Sequence, residues 1–139
     1  MSHASRIVFG CLTAALVALA PASALAGAQT LNASSGPLKA TMKPPPTHQP
    51  KVNTNVWITV TATLSGKPAH ATAKYEFLFA GAVVSTQYPR YNPHFSFTGH
   101  FTDNLVFPPS AVGAPLTLRV VIKAGSRTVH FDWSITAHK

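Results

Sequence analysis

Alternation of apolar and polar side chains is the pattern that most limits what this chain can fold into. It is clearest over residues 56–64, where Val, Ile, Ala and Leu alternate with Trp57 and three threonines. Successive side chains of a strand point to opposite faces, so this period of two predicts a β-strand with one buried face. The same pattern returns over residues 71–79, 116–123 and 129–135, and no segment shows a sustained helical period. The sequence therefore predicts an all-β protein.

Turn signals rich in proline and glycine separate the predicted strands. Residues 43–50 contain four prolines and cannot pair in a ladder, so they predict an extended loop. Shorter signals stand at residues 65–68 and 125–126, and Gly99 is expected to bend the strand that contains it. Seven or eight short strands with one polar face each favour an antiparallel sandwich of two sheets.

The alternation also predicts which side chains of the central strands face the core. Leu78 falls on the polar face of its strand by this pattern, and Trp57 points outward. The residues expected to be buried are Phe77, Leu118, Val120, Phe131 and Trp133, and the alternation places Tyr75 and Phe79 on the same side of their strand as Phe77.

The N-terminus has the order of a secretory signal peptide. Arg6 precedes a fourteen-residue apolar run over residues 7–20, and Ala24-Leu25-Ala26 matches the small-x-small site of signal peptidase. The run is shorter than the about 20 residues of a membrane-spanning helix. We therefore expect residues 1–26 to be a cleaved leader. The mature chain would begin at Gly27, secreted or otherwise extracytoplasmic, with no transmembrane span.

The mature chain is expected to form one domain without disulfides, because the leader would carry away Cys11. Cleavage before a lipidated Cys11 is the alternative, but only four residues separate it from Arg6. Residues 27–36 are small and polar and predict a flexible lead-in. A single β-sandwich domain is then expected over residues 37–139.

A basic excess marks the whole chain, whose net charge is +8 with only three acidic side chains, Glu76, Asp103 and Asp132. Such a balance favours an anionic envelope polymer as partner, with another envelope protein as the alternative. The lysines are scattered singly, which favours a solubilising role for this charge. No stretch has the density of a nucleic-acid-binding arm, and we predict no nucleic-acid partner.

Four segments carry a resemblance to a known class of module: residues 56–62, the turn at 65–68, residues 75–79 and residues 115–121. Their order resembles the immunoglobulin-like and fibronectin type III-like modules of secreted bacterial proteins, over residues 38–137. The resemblance implies an immunoglobulin-like β-sandwich that acts in adhesion, binding or spacing. The chain departs from antibody-type domains because it lacks the paired cysteines and the tryptophan between them; Tyr75 and Phe77 would fill that part of the core.

The most ligand-like stretch of the sequence is the proline-bearing loop over residues 88–95. Tyrosine and arginine anchor interfaces, and loops at the end of a sandwich are where such modules bind. Packing of these aromatic rings onto the core is the alternative. Trp57 is the other candidate anchor. It would be unavailable if the proline-rich loop over residues 43–50, hereafter the proline loop, covered it. The candidate binding residues of the loop are Tyr88, Arg90, Tyr91, His94 and Phe95.

The acidic residues predict no catalytic site, because they fall on three different strands. Glu76 and Asp132 become neighbours through Arg119 if their strands share a sheet, and we interpret this trio as a surface ion cluster. An arginine between two carboxylates lowers the pKa of both, which is the wrong direction for a general acid. We therefore predict a protein that is not an enzyme. A small hydrolase would need an acid and a nucleophile brought together by the fold.

Six histidines lie beyond the leader, but their spacing predicts no metal site and no cofactor. If His94 and His100 share a strand, they stand about 20 Å apart. The leading hypothesis is an exported, non-enzymatic binding or structural module at the cell envelope. The alternative is an envelope carrier of a metal or small ligand that uses His94 or His100.

Overall fold

The computed structural model describes residues 29–86 and 95–139. These residues form ten strands and one turn of 3-10 helix, Pro109–Ala111, and contain no helix long and apolar enough to cross a membrane. The predicted leader lies outside the described residues. The strands in chain order are Leu31–Ser35 (β1), Leu38–Lys43 (β2), Asn55–Leu64 (β3), Lys67–Pro68 (β4), His70–Phe79 (β5), Ala82–Ser85 (β6), Phe95–Thr98 (β7), His100–Val106 (β8), Pro115–Ala124 (β9) and Arg127–Thr136 (β10).

The strands form two antiparallel sheets of five, so the predicted all-β two-sheet sandwich is confirmed. In the first sheet, β1, β2 and β3 are neighbours, and both β8 and β4 pair with the remaining edge of β3, at residues 55–61 and 63–64. In the second sheet, β10, β9 and β5 are neighbours. Both β7 and β6 pair with the remaining edge of β5, at residues 70–73 and 77–79.

The core lies between the sheets and is filled by the inward-facing residues of the central strands. Ile58 and Val60 from β3 are fully buried, as are Leu118 and Val120 from β9. Because each alternates with a polar neighbour, the period of two in the sequence gives one apolar face per sheet. The prediction of buried residues is confirmed for Tyr75, Leu118, Val120, Phe131 and Trp133.

The prediction for the end of β5 was partly wrong. Phe77 is only half-buried against the core, and Phe79 is 47% exposed. Leu116, which lies across from Phe79, is itself only half-buried, so the core covers this end of β5 incompletely. Leu78, expected on the polar face, is buried beside a register shift in the pairing with β6. Alternation predicts which face a side chain takes, but not what covers that face.

The flexible lead-in expected over residues 27–36 is corrected for residues 31–35, which form β1 and pair with β2. Gly36 has a φ of +58°, a left-handed conformation that glycine adopts readily and that lets the chain fold straight back. Leu31 and Ala33 pack against the core while Asn32 is exposed, so the alternation is present. The sequence did not predict a strand here because the segment has only five residues, most of them small and polar.

One continuous segment crosses from the second sheet to the first at Gly99. β7 pairs with β5, β8 pairs with β3, and Gly99 lies between them with a φ of +73°. Its N–H donates to the carbonyl of Ala69 (3.0 Å) and its carbonyl accepts from Ala62 N–H (2.8 Å). The predicted bend is therefore the point where the chain changes sheets.

Candidate ligand-binding site

The structure describes two of the predicted binding residues, Trp57 and Phe95; Tyr88, Arg90, Tyr91 and His94 lie outside the described residues. Phe95 is half-buried, and its ring centroid lies 4.4 Å from that of Phe101 and 5.6 Å from that of Tyr75. In this position the Phe95 ring contributes to packing against the core. Trp57 has a different environment.

Trp57 is a large apolar side chain left in solvent, with 58% of its surface exposed. It lies on β3 between the buried residues Val56 and Ile58, so the strand itself turns the indole outward. Across the ladder stands Asn104 of β8, whose Nδ2 donates to Oδ1 of Asn55 (3.0 Å). The indole is thus fixed to a central strand, beside amide groups that hydrogen-bond.

A cavity of about 550 Å³, hereafter the Trp57 cavity, lies between Trp57 and the proline loop. The loop therefore forms one wall of the cavity without covering the indole. The cavity combines proline and tryptophan surface with polar side chains, a mixture typical of small-ligand sites. Its lining residues are Pro45, Thr47, Gln49, Pro50, Lys51, Thr54, Asn55, Val56, Trp57 and His138.

Backbone hydrogen bonds hold the proline loop against residues 136–138. His48 accepts from Thr136 N–H (2.8 Å), Pro50 accepts from His138 N–H (3.0 Å), and Val52 N–H donates to the carbonyl of His138 (2.8 Å). The Thr54 hydroxyl closes the turn by donating to the carbonyl of Lys51 (2.7 Å). A proline-rich segment has few backbone donors of its own. The last residues of the chain supply the donors and acceptors that fix this wall.

The outer face of the first sheet continues from Trp57 as an array of hydroxyl groups. Thr59 and Thr102 face each other with their Oγ1 atoms 3.0 Å apart, and Thr41 and Thr61 do so at 2.5 Å. Lys43 lies beside Thr59 in the ladder. This face is polar and hydrogen-bonding, with Trp57 as its large apolar element.

Charge is distributed unequally between the two outer faces. Glu76 and Asp132 lie on the outer face of the second sheet, and Asp103 is buried. Since these are all the acidic side chains of the chain, the outer face of the first sheet and the Trp57 cavity have none. Among the described residues, their charged side chains are lysines, with Lys51 in the cavity. The surface around Trp57 therefore attracts anions.

The predicted ion cluster is present on the second sheet. Arg119 donates from Nε and from a terminal nitrogen to the two carboxylate oxygens of Asp132 (2.7 and 2.8 Å), and Glu76 lies across the ladder from Arg119. Glu76 also pairs with Lys74 (2.6 Å). The hydrogen bond from Arg119 holds the pKa of Asp132 below its usual value, against a smaller opposing effect of burial. This carboxylate is suited to an ion pair and unsuited to donating a proton.

The histidines of the described residues are dispersed. The ring of His48 contacts the carbonyl of Ser134 (2.7 Å), and the ring of His70 contacts the Thr98 hydroxyl (3.3 Å). Over residues 29–86 and 95–139, no three His, Cys, Asp or Glu side chains are grouped as metal ligands would be.

Asp103 is a core residue that the sequence reasoning did not single out. It is 2% exposed and accepts hydrogen bonds from the Tyr75 hydroxyl (3.0 Å) and from the backbone N–H of Asn104 (2.8 Å). The alternation of the sequence indicated that Asp103 is buried. It lies at every second position with three apolar residues and so shares their inward face: Phe101, Leu105 and Phe107. Its bond to Tyr75 joins the two sheets.

A second concavity, of about 450 Å³, opens between the sheets near β6 and β8. It is apolar, and none of its lining residues among those described carries a charge. They are Phe77, Val84, Ser85, Leu105, Val106, Phe107, Pro108, Ser110, Ala111, Ala114 and Leu116.

Fold and site together define an all-β two-sheet sandwich with an exposed tryptophan beside a largely apolar cavity that Lys51 also lines. No protein-family model matches the sequence, and no curated protein matches it.

Proposed function

We propose that this protein is an exported, non-enzymatic binding module that acts at the cell envelope. The observation that carries the proposal is Trp57, an exposed indole mounted on a central strand beside a cavity with a fixed wall. Exposed aromatic side chains are the commonest energetic anchors of binding surfaces.

The order of the N-terminal residues supports export, since Arg6, the apolar run and Ala24-Leu25-Ala26 form a leader. The immunoglobulin-like identity of the sandwich is part of the same proposal. It is supported by the resemblance of residues 56–62, 75–79 and 115–121 to secreted bacterial modules. Modules of that kind bind or space other molecules, and they carry their binding residues on sheet faces or end loops.

The alternative functions have less support. A metal carrier would need histidines grouped with further ligands, whereas His48 contacts a backbone carbonyl and His70 a hydroxyl, and the described residues contain no group of three metal-ligating side chains. A hydrolase would need a carboxylate able to exchange a proton with a nucleophile. Asp132 is held ionised by Arg119, and Asp103 is buried against Tyr75.

The test uses protein produced with its leader and purified after export, mixed with insoluble envelope polymer from the producing cells. We expect the protein to sediment with the polymer and Trp57→Ala to weaken this association about tenfold or more. Phe79→Ala is the matched control, because it also removes a half-exposed aromatic ring, on the other sheet. Absence of co-sedimentation at low salt contradicts the proposal, and equal losses in both variants contradict the role of Trp57.

The loop over residues 88–95 can be assessed in the same assay. Arg90→Ala is expected to flatten the dependence of binding on salt, because exposed charges are screened beyond about 8 Å at physiological ionic strength. A Tyr88→Ala, Tyr91→Ala double variant is expected to lower affinity at every salt concentration, since ring burial does not depend on salt. If neither variant differs from the wild type, the loop takes no part in binding.

A further inference from the structure

We infer that the Trp57 cavity binds a sugar unit of an acidic polysaccharide, with the sugar ring on the indole of Trp57 and its carboxylate at Lys51. This inference rests on the proposed function and adds the chemical class of the ligand. Three features of the described residues support it: the indole, the fixed wall and the distribution of charge.

The indole provides a flat apolar surface of the right kind for a sugar. One face of a pyranose ring is lined by C–H groups, and aromatic rings bury such a face while the hydroxyls at its rim stay accessible. Asn55 and Asn104 stand beside Trp57, and each carries an amide able to donate and to accept. The hydroxyl groups of Thr59 and Thr102 extend the polar surface along the same face. A sugar needs apolar contact and many hydrogen bonds together, and this face offers both.

The cavity wall is formed before any ligand arrives. His48, Pro50 and Val52 are each hydrogen-bonded to the last residues of the chain. The lining residues Gln49 and Lys51 lie between these fixed points. A site that is already ordered loses little conformational entropy on binding, which favours measurable affinity for a small sugar unit.

Charge complementarity decides between a neutral and an acidic ligand. Lys51 lines the cavity, Lys43 lies beside Thr59 on the same sheet face, and no acidic side chain is near either. Lys74 and Arg119 on the second sheet, in contrast, are each paired with a carboxylate. The cations near Trp57 therefore remain available to an anionic ligand.

A single-stranded nucleic acid is also anionic and also stacks on aromatic rings. Proteins that bind it use several aromatic side chains in series along a dense basic groove. Among the residues that the structure describes, the outer face of the first sheet offers one aromatic platform, Trp57, followed along β3 by threonines. The short spacing of hydroxyl and amide groups next to a single ring suits a sugar better than a row of bases.

The experiment measures binding of defined probes to the exported, processed protein. Polygalacturonate is the acidic probe, and its methyl ester presents the same sugar rings without the charge. Polyacrylate presents carboxylates without sugar rings, and oligothymidylate tests nucleic acid. The protein has two tryptophans, and Trp133 is 1% exposed, so the quenching of fluorescence by acrylamide reports mainly on Trp57. We expect polygalacturonate to protect Trp57 from quenching and to bind at least several-fold tighter than the other three probes.

Four variants locate the site. Trp57→Ala is expected to weaken polygalacturonate binding about tenfold or more, and Trp57→Phe to retain part of it. Lys51→Ala is expected to weaken binding a few-fold. Lys123→Ala removes one exposed cation from the outer face of the second sheet and is expected to change binding less than Lys51→Ala. Because Trp57 is exposed and Trp133 is buried, Trp133 fluorescence verifies that Trp57→Ala is folded.

Three results would overturn the inference. Equal binding of polyacrylate and polygalacturonate would mean that the site attracts polyanions in general and does not recognise a sugar. Tighter binding of oligothymidylate would assign the site to nucleic acid. Failure of polygalacturonate to bind, while the protein still sediments with envelope polymer, would exclude the acidic sugar and leave the proposed function standing. If the protein bound neither polygalacturonate nor envelope polymer, the proposed function itself would be contradicted.

Discussion

At the scale of single residues, the hydrogen bond between Tyr75 and Asp103 links the two sheets inside the core. The hydroxyl of Tyr75, on β5, donates to Oδ2 of Asp103, on β8. A buried carboxylate is stable only when donors surround it, so each donor that contacts Asp103 stabilises the native state more than an exposed hydrogen bond would.

Tyr75→Phe is therefore expected to lower the free energy of unfolding by about 1–3 kcal/mol, because Asp103 loses one donor while the ring stays in place. Thr102→Val is the control, since it removes a hydroxyl that bonds to Thr59 on the solvent side of β8. Its effect is expected within about 0.5 kcal/mol. Urea unfolding measures both variants. Equal effects would mean that the Tyr75 hydroxyl contributes no more than an exposed one.

The Arg119–Asp132 pair predicts a dependence of stability on pH. The pKa of Asp132 is lower in the folded chain than in the unfolded chain, so the pair stabilises the fold above the unfolded pKa near 4 and loses this effect as the pH falls through the folded pKa. Asp132→Asn should be less stable than the wild type at pH 7, by under about 1 kcal/mol because the pair is solvent-exposed. Urea unfolding from pH 7 to pH 2 should show the two proteins converging at the acid end. A constant difference would contradict this account.

At the scale of elements, the alternating strands were predictable because each carries a period of two long enough to be recognised. β3, β5, β9 and β10 are ten residues each, and all four were expected from sequence. β1 was not expected, because its five residues are small and resemble a linker. Short strands depend on pairing with a neighbour more than on their own composition.

The crossing between β7 and β8 requires glycine for two reasons that can be separated. Gly99→Ala places a Cβ at positive φ and 3.0 Å from the Cβ of Pro68, whereas Gly66→Ala has positive φ with open space around it. Gly66→Ala is expected to lower the free energy of unfolding by about 1–2 kcal/mol, and Gly99→Ala by clearly more. Thermal and urea unfolding of both variants measure the difference. Equal losses would show that Pro68 moves aside without resistance.

At the scale of the whole molecule, the sandwich separates its charges by face. The acidic side chains of the second sheet pair with Arg119 and Lys74, while the first sheet presents Trp57, threonines and lysines. The positive charge of the domain is therefore more strongly expressed on the first sheet than its scattered lysines suggest. This asymmetry favours the binding of anions at the first sheet over the second.

Processing of the N-terminus is a prediction for the molecule as a whole. The exported protein is expected to begin within a few residues of Gly27, because Ala24 and Ala26 offer the small side chains that signal peptidase requires. N-terminal sequencing of the exported protein measures this directly. A start at a lipidated Cys11, or an intact Met1, would contradict the prediction of export through a cleaved leader.

The sequence by itself determined the fold class, the approximate strands, most of the core and the outward direction of Trp57. All of these follow from local periodicity, which is a property of neighbouring residues. Only the tertiary structure decided that the proline loop stands beside Trp57 without covering it, that Phe79 lies beyond the core, and that Asp103 meets Tyr75. Each of these depends on where a second element, distant in the sequence, ends or packs. A periodic pattern within one strand carries no information about the position of that second element.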